Sequence, residues 1–330
     1  MKIFHDHAVD KIGVIANITR QIHSCFAEID NDEYVLFDLT WLEINEKTKK
    51  FINQNKDKTF LLYSGMDWHN EECRAAGYRY IKNNVREIIP IGNYDGENYF
   101  SFWLEFCRQN FDDIPYNHNI KKPYMCLNRK LHRHRVELVE LLHHKNLIKH
   151  GFVSLGTPDE YSAPTFLKTP ILLQNDIVNE EGDEACTYNA VTNDISSFGL
   201  LDNWYGHFLN VVTETVIHTD VFISEKTFKP ILGYKPFVIL GDDNLYNKLH
   251  EWGIDTFDDL LGTGYKNKSY TDRIEWIVSV IEEMSKKSTR DLQTLHVSLW
   301  PRLKKNKQRL VEQQIKNAND IVNIAEKFKC

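Results

Sequence analysis

The sequence alternates short apolar runs with mixed segments of helical length, and this alternation restricts the fold more than any other feature. YVLFDLT (34–40) and TFLLYSG (59–65) are each followed by a stretch long enough for a helix. Parallel strands need such long connections, whereas antiparallel neighbours are joined by tight turns. The same pattern continues in EIIPIG (87–92), PYMCLN (123–128), GFVSLG (151–156), FLNVVTET (208–215) and PFVILG (236–241). The sequence therefore predicts an α/β protein with mainly parallel sheets.

A polar stretch between two series of strands predicts a domain junction. FDDIPYNHNIKKP (111–123) holds two prolines and several turn-forming residues. At ~150 residues per domain the chain is long enough for two domains. We therefore expect two α/β domains, at 1–118 and 119–300. Residues 301–330 are expected to form a helix that packs back across the junction through an apolar stripe: Val311, Ile315, Ala318, Val322, Ala325 and Phe328.

The charge of the chain argues against one class of function. Forty Lys and Arg against 47 Asp and Glu give a net charge of −7, so no global positive field exists to hold a nucleic-acid backbone. Residues 301–330 are an exception, because eight basic and three acidic residues give them a charge of 8 − 3 = +5. We expect their basic side to be a solvated helix face.

The N-terminal segment and the cysteines predict where the protein works. MKIFHDHAVD lacks the apolar core of an export signal, and no run of ~18 apolar residues predicts a membrane span. The six cysteines lie far apart, without the paired spacing of a zinc site. We therefore expect a cytoplasmic protein with reduced thiols, no membrane span and no metal.

The segment VFISEKTFKPILGYKPFVILGDDN (221–244) carries the clearest sign of chemistry. Ser224 stands where a helix N-cap belongs, and Gly233 stands where the helix ends. The amides of the first turn, up to that of Thr227, are then expected to be free donors at the positive end of a helix dipole. The pattern predicts an anion site.

Two charged side chains in that first turn extend the prediction. Lys226 supplies a full positive charge for phosphates, and the carboxylate of Glu225 supplies two acceptors for hydroxyl groups. A diphosphate beside a ribose needs this combination. In the alternative interpretation, Glu225 and Lys229 form an exposed helix pair and Lys226 is solvated.

Two segments together resemble a known family. FISEKTFKPILGYKPFVILG (222–241) is similar to the GT-B pattern of fucosyltransferases and exostosin-like proteins, in which aromatic-x-[S/T]-E-K opens a helix and G-x-x-P-[V/F]-x-x-G follows. PYMCLNRKLHRHRVELVELL (123–142) is similar to the same group's strand, asparagine and arginine before the first helix of the nucleotide-binding domain. The resemblance covers residues 120–260. It implies a GT-B-like fold, in which two Rossmann-like domains with mainly parallel sheets face each other across a cleft. It also implies a metal-independent glycosyltransferase whose co-substrate is a nucleoside-diphosphate sugar, with no other cofactor.

The resemblance also implies roles for individual residues. Glu225 would bind the donor ribose and Lys226 the donor phosphates. Arg135 is the best match to the arginine that contacts the diphosphate, but the spacing is variable, so the donor-binding candidates in this segment are Asn128, Arg129, Arg133 and Arg135. A basic first turn that faces solvent is the alternative, although arginines are unfavourable at a helix N-terminus unless an anion compensates them.

Acidic residues follow two strands of the second series. Glu214 ends FLNVVTET, at the strand edge where open α/β sheets bind ligands, and is predicted to face the donor sugar or base. Capping of a neighbouring helix and exposure to solvent are the alternatives. Asp242 and Asp243 follow PFVILG, and we expect them to cap the next helix rather than hold a metal.

An inverting transfer also needs a base for the acceptor hydroxyl. We expect it after a strand of the first series, where the candidates are Asp38, Asp67, His69, Asp95 and Glu97. Each of them also suits a turn or cap. His132, His134, His143 and His144 are expected to be solvated helix residues.

Other functions remain compatible with the sequence. The acceptor is a glycan in the leading interpretation, but GT-B enzymes of bacteriophages glycosylate hydroxymethylated pyrimidines of DNA, and a Lys- and Asn-rich composition suits an AT-rich viral genome. Four basic residues would then help to hold phosphates: Lys304, Lys305, Lys307 and Arg309. A nucleotide-sugar epimerase and a non-catalytic binding module are further alternatives. The sequence does not specify the sugar, the base, the stereochemical outcome or the oligomeric state.

Overall fold

The chain forms two compact units, each with its own sheet. The computed structural model describes residues 1–4, 13–38, 44–63, 71–92, 100–156, 162–167, 171, 187–188, 191–192, 197–217 and 221–329. The first unit comprises Met1–Phe106 and Gln314–Cys330, and the second comprises Cys107–Gln313. The first unit is therefore discontinuous in sequence.

The first unit contains a four-stranded parallel sheet in the order β1-β2-β3-β4. Its elements are β1 (Lys2–Phe4), α1 (Gly13–Ala27), β2 (Tyr34–Asp38), α2 (Glu46–Gln54), β3 (Thr59–Tyr63), α3 (Glu71–Asn84) and β4 (Glu87–Ile91). Apolar side chains of the strands and helices fill the core, where the rings of Phe4 and Phe37 stack 4.8 Å apart on neighbouring strands. Helix α4 (Phe102–Asn110) follows and crosses the division between the units.

The second unit contains a four-stranded parallel sheet in the order β10-β9-β5-β6. Its elements are β5 (Lys122–Asn128), α5 (Arg133–His144), a 3₁₀ helix (Ile148–His150), β6 (Phe152–Leu155), β7 (Thr187–Tyr188), β8 (Val191–Thr192), α6 (Leu201–Gly206), β9 (His207–Thr213), α7 (Glu225–Leu232), β10 (Phe237–Leu240), α8 (Asp243–Glu251), α9 (Asp258–Leu261), α10 (Tyr270–Ser285) and α11 (Thr289–Ser298). Helix α12 (Trp300–Glu326) then runs from this unit into the first.

The burial of the strands agrees with parallel sheets. All seven residues of β9 and all four of β10 are buried, as expected for strands covered on both faces. The short β7 and β8 pair antiparallel, outside the two main sheets. The predicted α/β class with mainly parallel sheets is confirmed. Across the described ranges, no helix combines the length and the apolar character needed to cross a membrane.

Helix α12 buries a different face from the predicted one. Val311, Ile315 and Val322 of the predicted stripe are exposed, with 57% exposure at Ile315, whereas Ala325 and Phe328 are buried as expected. The buried face instead includes asparagine side chains that bond to main-chain groups. Oδ1 of Asn306 accepts a hydrogen bond from the main-chain amide of Asp255 at 2.7 Å, and Oδ1 of Asn317 accepts one from the main-chain amide of Ser101 at 2.7 Å. A hydropathy pattern misses this face because it scores asparagine as a solvent residue.

Candidate functional site

The predicted motif lies at the carboxyl edge of the second sheet, where β9 ends and α7 begins. Ser224 is the N-cap of α7, since its Oγ accepts a hydrogen bond from the amide of Lys226 at 3.3 Å. Gly233 is the C-cap, as predicted. A Cβ at Gly233 would lie 2.4 Å from the ring of Trp204, so a close approach rather than an unusual φ requires glycine there.

Glu214 holds the first turn of α7 with a fully buried carboxylate. Its Oε1 accepts from the amide of Ser224 at 3.0 Å and from Oγ1 of Thr227 at 2.6 Å, and its Oε2 accepts from Oγ of Ser224 at 2.6 Å. This negative charge stands at the positive end of the helix dipole, where it is stabilising. The observed hydrogen bonds of Glu214 are therefore those of a helix-capping residue, which was one of the alternatives drawn from the sequence. A contact between Glu214 and the donor stays a prediction.

Glu225 is a buried carboxylate with one oxygen unpaired. It is 1% exposed, and its Oε1 lies 2.9 Å from Nζ of Lys226, while its Oε2 is buried without a hydrogen-bond partner. Burial raises the pKa of Glu225, but the charges of Lys226 and Lys229 outweigh it, so the pKa lies below the usual value. The group is ionised at neutral pH. An exposed Glu225–Lys229 pair, the alternative interpretation, does not agree with this burial.

Lys226 provides the accessible positive charge of the site. Its side chain is 25% exposed, and Nζ contacts Oε1 of Glu225 at 2.9 Å and Oγ of Ser224 at 3.1 Å. The expectation of free first-turn amides is wrong for two of them: the amide of Lys226 donates to Oγ of Ser224, and that of Thr227 donates to the Ser224 carbonyl at 3.1 Å. The site therefore offers an anion a side-chain ammonium rather than a row of open amides.

The first turn of α5 reaches the same strand end. Nη2 of Arg135 donates to the carbonyl of Thr213 at 3.0 Å and to Oγ1 of Thr215 at 3.3 Å. Nε2 of His134 lies 2.7 Å from the carbonyl of Glu214. Both side chains are buried, so the expectation of a solvated His134 is wrong. The N-termini of α5 and α7 thus converge on residues 213–215.

The other candidates of this segment have different surroundings. Arg133 is 79% exposed and pairs with Oε1 of Glu137 at 2.8 Å on an outer helix face. Asn128 is buried, and its Oδ1 accepts from Oγ1 of Thr213 at 2.6 Å, which ties β5 to β9. Arg129 is half-buried beside Gly156, whose Cβ would meet the Arg129 carbonyl. The structure therefore brings Arg135 and Asn128 to the end of β9 and places Arg133 on a solvated face.

Asp38 is the base candidate that the structure describes. It ends β2 in the first unit, is buried, and its Oδ2 lies 3.0 Å from Nε2 of His23 in α1. Its register neighbour Tyr63 has a buried hydroxyl without a hydrogen-bond partner, and burial, with a smaller effect of Asp38, raises the pKa of that hydroxyl well above its usual value. No pattern in the sequence indicates His23 or Tyr63 as part of such a pair. Asp67, His69, Asp95 and Glu97 lie outside the described residues.

The acidic pair after β10 includes a helix cap. Oδ1 of Asp242 accepts from the amide of Asn244 at 2.8 Å, which makes Asp242 the N-cap of α8, as predicted. In the part of the chain that the structure describes, no group of three or more His, Cys, Asp or Glu side chains is arranged to hold a metal ion.

Comparison of the chain with protein-family models, with curated proteins and with solved structures found no match. The candidate site combines a buried ionised carboxylate with an unpaired oxygen, an adjacent lysine and two converging helix N-termini.

Proposed function

We propose that the second unit binds a nucleoside-diphosphate sugar at the first turn of α7, and that the protein is a GT-B glycosyltransferase. The observation that carries the proposal is the unpaired Oε2 of Glu225. A buried carboxylate oxygen without a donor is costly, and in the proposal the bound donor substrate satisfies it. An ionised carboxylate only accepts hydrogen bonds, so its partner is a donor such as the hydroxyls of a ribose.

Lys226 supports the diphosphate part of the proposal. Its ammonium has three protons, and two of them point to Glu225 and Ser224. The third is available for a phosphate oxygen. The positive ends of the α5 and α7 dipoles lie close by and favour negative charge at the same place.

The chemistry that follows is stabilisation of a leaving group. The acceptor oxygen attacks the anomeric carbon, the bond from that carbon to the diphosphate oxygen breaks, and the nucleoside diphosphate leaves with the electron pair. Lys226 and the helix ends stabilise the negative charge that develops on the diphosphate. The acceptor proton passes to a base, for which Asp38, Asp67 and His69 stay candidates.

The acceptor in the proposal is a hydroxyl of a glycan, and modified DNA is the alternative. Two of the four basic residues expected to hold DNA phosphates have partners within the protein: Lys307 pairs with Asp113, and Arg309 pairs with Glu312 at 2.9 Å. These pairs reduce the positive charge available to DNA. Retention on DNA that weakens steeply with salt would support the alternative.

Calorimetric titration with a panel of nucleoside diphosphates tests donor binding. Lys226→Ala is expected to abolish binding, and because it also removes the ammonium that pairs with the buried Glu225 carboxylate, circular dichroism and thermal unfolding are used to establish that the variant is folded. Lys145→Ala is the matched control, since it removes a basic residue from a partly exposed ion pair with Glu282 and lies outside the donor-binding candidates. Equal affinity of wild type and Lys226→Ala would refute the phosphate assignment.

Glu225→Gln tests the ribose assignment with paired ligands. We expect this variant to lose ~1–3 kcal/mol of affinity for a ribonucleoside diphosphate, the range for losing a hydrogen bond to a charged group. Affinity for the 2′,3′-dideoxy analogue should barely change. Equal losses for both ligands would end the ribose assignment. Turnover without an acceptor would indicate an epimerase, and binding without any turnover a non-catalytic module.

A further inference from the structure

Glu214 is fixed in place through both its main chain and its side chain. Its amide donates to the carbonyl of Leu240 on β10 at 3.0 Å, and its carbonyl lies 2.7 Å from Nε2 of His134. Its fully buried carboxylate accepts three hydrogen bonds, which come from Ser224 and Thr227. The end of β9 thus carries a rigid acceptor that is directed at α7.

The two residues that bind Glu214 enclose the proposed donor-binding pair. Ser224 precedes Glu225 and Lys226 in the chain, and Thr227 follows them. We infer that Glu214 is a positioning residue that sets the place of Glu225 and Lys226 by holding the first turn of α7. This inference rests on the proposed function, because it assigns Glu214 a part in the same site.

Helix α7 needs such an anchor because it is weak by itself. It has eight residues, and isolated helices shorter than ~12 residues are marginal in water. Pro230 lies inside it and cannot donate an amide hydrogen bond. The position of its first turn is therefore set by tertiary contacts, among which the three bonds to Glu214 hold the residues on either side of Glu225 and Lys226.

Whether phosphate binding becomes weaker or stronger when Glu214 loses its charge distinguishes a positioning role for Glu214 from a purely electrostatic one. Glu214 is a negative charge near the proposed phosphate site, so removing only its charge would strengthen phosphate binding. Glu214→Gln keeps the size of the side chain, but its amide nitrogen cannot accept the hydrogen bonds that one carboxylate oxygen now receives. Positioning therefore predicts weaker binding despite the more favourable charge.

The experiment compares ribo- and 2′,3′-dideoxynucleoside diphosphates by calorimetry in three variants. Glu214→Gln is expected to weaken both ligands by roughly tenfold or more, since the ribose and phosphate contacts depend on the same turn. Thr227→Val, which removes one of the three bonds, should weaken both ligands by a smaller factor. Asp242→Asn, at the N-cap of α8, is the matched control and should leave both affinities unchanged.

The other outcomes overturn the inference. Unchanged or tighter binding in Glu214→Gln contradicts positioning, and a loss confined to the ribo ligand shows that Glu214 contacts the ribose directly. If Glu214→Gln does not fold, Thr227→Val decides, and equal affinity to wild type rejects the inference.

Hydrogen exchange separates failure of the inference from failure of the proposed function. If wild type binds no nucleoside diphosphate, the proposed function is wrong. Faster exchange of the first-turn amides of α7 in Glu214→Gln than in Asp242→Asn then still supports a positioning role for Glu214. Equal exchange in the two variants rejects that role.

Discussion

The hydroxyl of Thr213 donates to Oδ1 of Asn128 at 2.6 Å, and both side chains are buried. The bond joins the carboxyl ends of β5 and β9, the two central strands of the second sheet. The main-chain amide of Asn128 donates a hydrogen bond to Oγ of Ser154 on β6, at 3.2 Å. One polar cluster therefore fixes three strand ends at the edge that carries the candidate site.

Replacing Thr213 by valine, which has nearly the same shape as threonine, should destabilise the second unit. The change removes the donor to Asn128 within a buried site, so we expect a loss of about 1–2 kcal/mol in the free energy of unfolding. Urea denaturation measures the loss. Thr294→Val in α11 is the control, because its hydroxyl bonds to the Arg290 carbonyl on an exposed surface. A loss at Thr213 no larger than at Thr294 would contradict the expected role.

Arg135 and Arg133 lie two residues apart and should respond differently to removal. Arg135→Ala takes two hydrogen bonds from the buried end of β9, and we expect it to cost about 2 kcal/mol of stability. Arg133→Ala breaks only an exposed pair with Glu137 and should change stability by less than ~0.5 kcal/mol. Thermal and urea unfolding of the two variants provide the comparison, and similar losses would show that the difference in burial has no energetic consequence.

A methyl group at Gly233 should disturb the end of α7. The new Cβ would lie 2.4 Å from the ring of Trp204, whose Nε1 donates to the Gly233 carbonyl at 3.2 Å. Gly233→Ala is therefore expected to lose about 1–3 kcal/mol of stability, as overpacked cores do. Near-ultraviolet circular dichroism should report the displaced indole. Gly206→Ala, where a Cβ would lie 3.4 Å from Phe152, is the tolerated control.

Lys235 should make stability rise with pH. Burial lowers the pKa of Lys235 to about 7, and its Nζ donates to the carbonyls of Tyr205 and His207. Between pH 7 and the ordinary lysine pKa of ~10.4, the folded side chain is neutral while the unfolded one still binds a proton. The unfolded state then holds more protons, so stability increases with pH by up to about 1.4 kcal/mol per pH unit.

Lys235→Met provides the test of this dependence. The difference in unfolding free energy between wild type and variant, measured in urea from pH 6 to 10, should be flat below pH 7 and should shift in favour of wild type above it. The pKa values of the neighbouring His207 and His296 are also lowered by burial, to about 3 for His296, so both rings are neutral throughout this range. A difference that stays constant to pH 10 would show that Lys235 keeps its proton in the fold.

Local signals in the sequence predicted much of the fold. The buried strands of the second unit were recognisable as apolar runs, and Ser224 and Gly233 were recognisable as the caps of α7, because strand burial and capping depend on neighbouring residues. The same locality explains the cap at Asp242.

The features that the sequence missed, or left as one alternative among several, depend on contacts between distant segments. The carboxylate of Glu214 binds residues ten and thirteen positions later, and Asn317 binds Ser101, which lies 216 positions earlier. His134 is buried because the first turn of α5 meets the end of β9. A one-dimensional pattern scores each of these side chains as polar and therefore as exposed, although tertiary bonds satisfy them in the interior.

The discontinuous first unit has a consequence for protein synthesis. Its completing contacts come from the last segment: Asn317 bonds to both main-chain groups of Ser101, and the ring of Phe328 packs edge-on against Tyr34 at 5.2 Å. At ~5–20 residues per second, the ribosome adds residues 314–330 on the order of ten seconds or more after residue 106. The first unit therefore lacks these contacts while the continuous second unit is being translated, and chaperones have that interval in which to bind it.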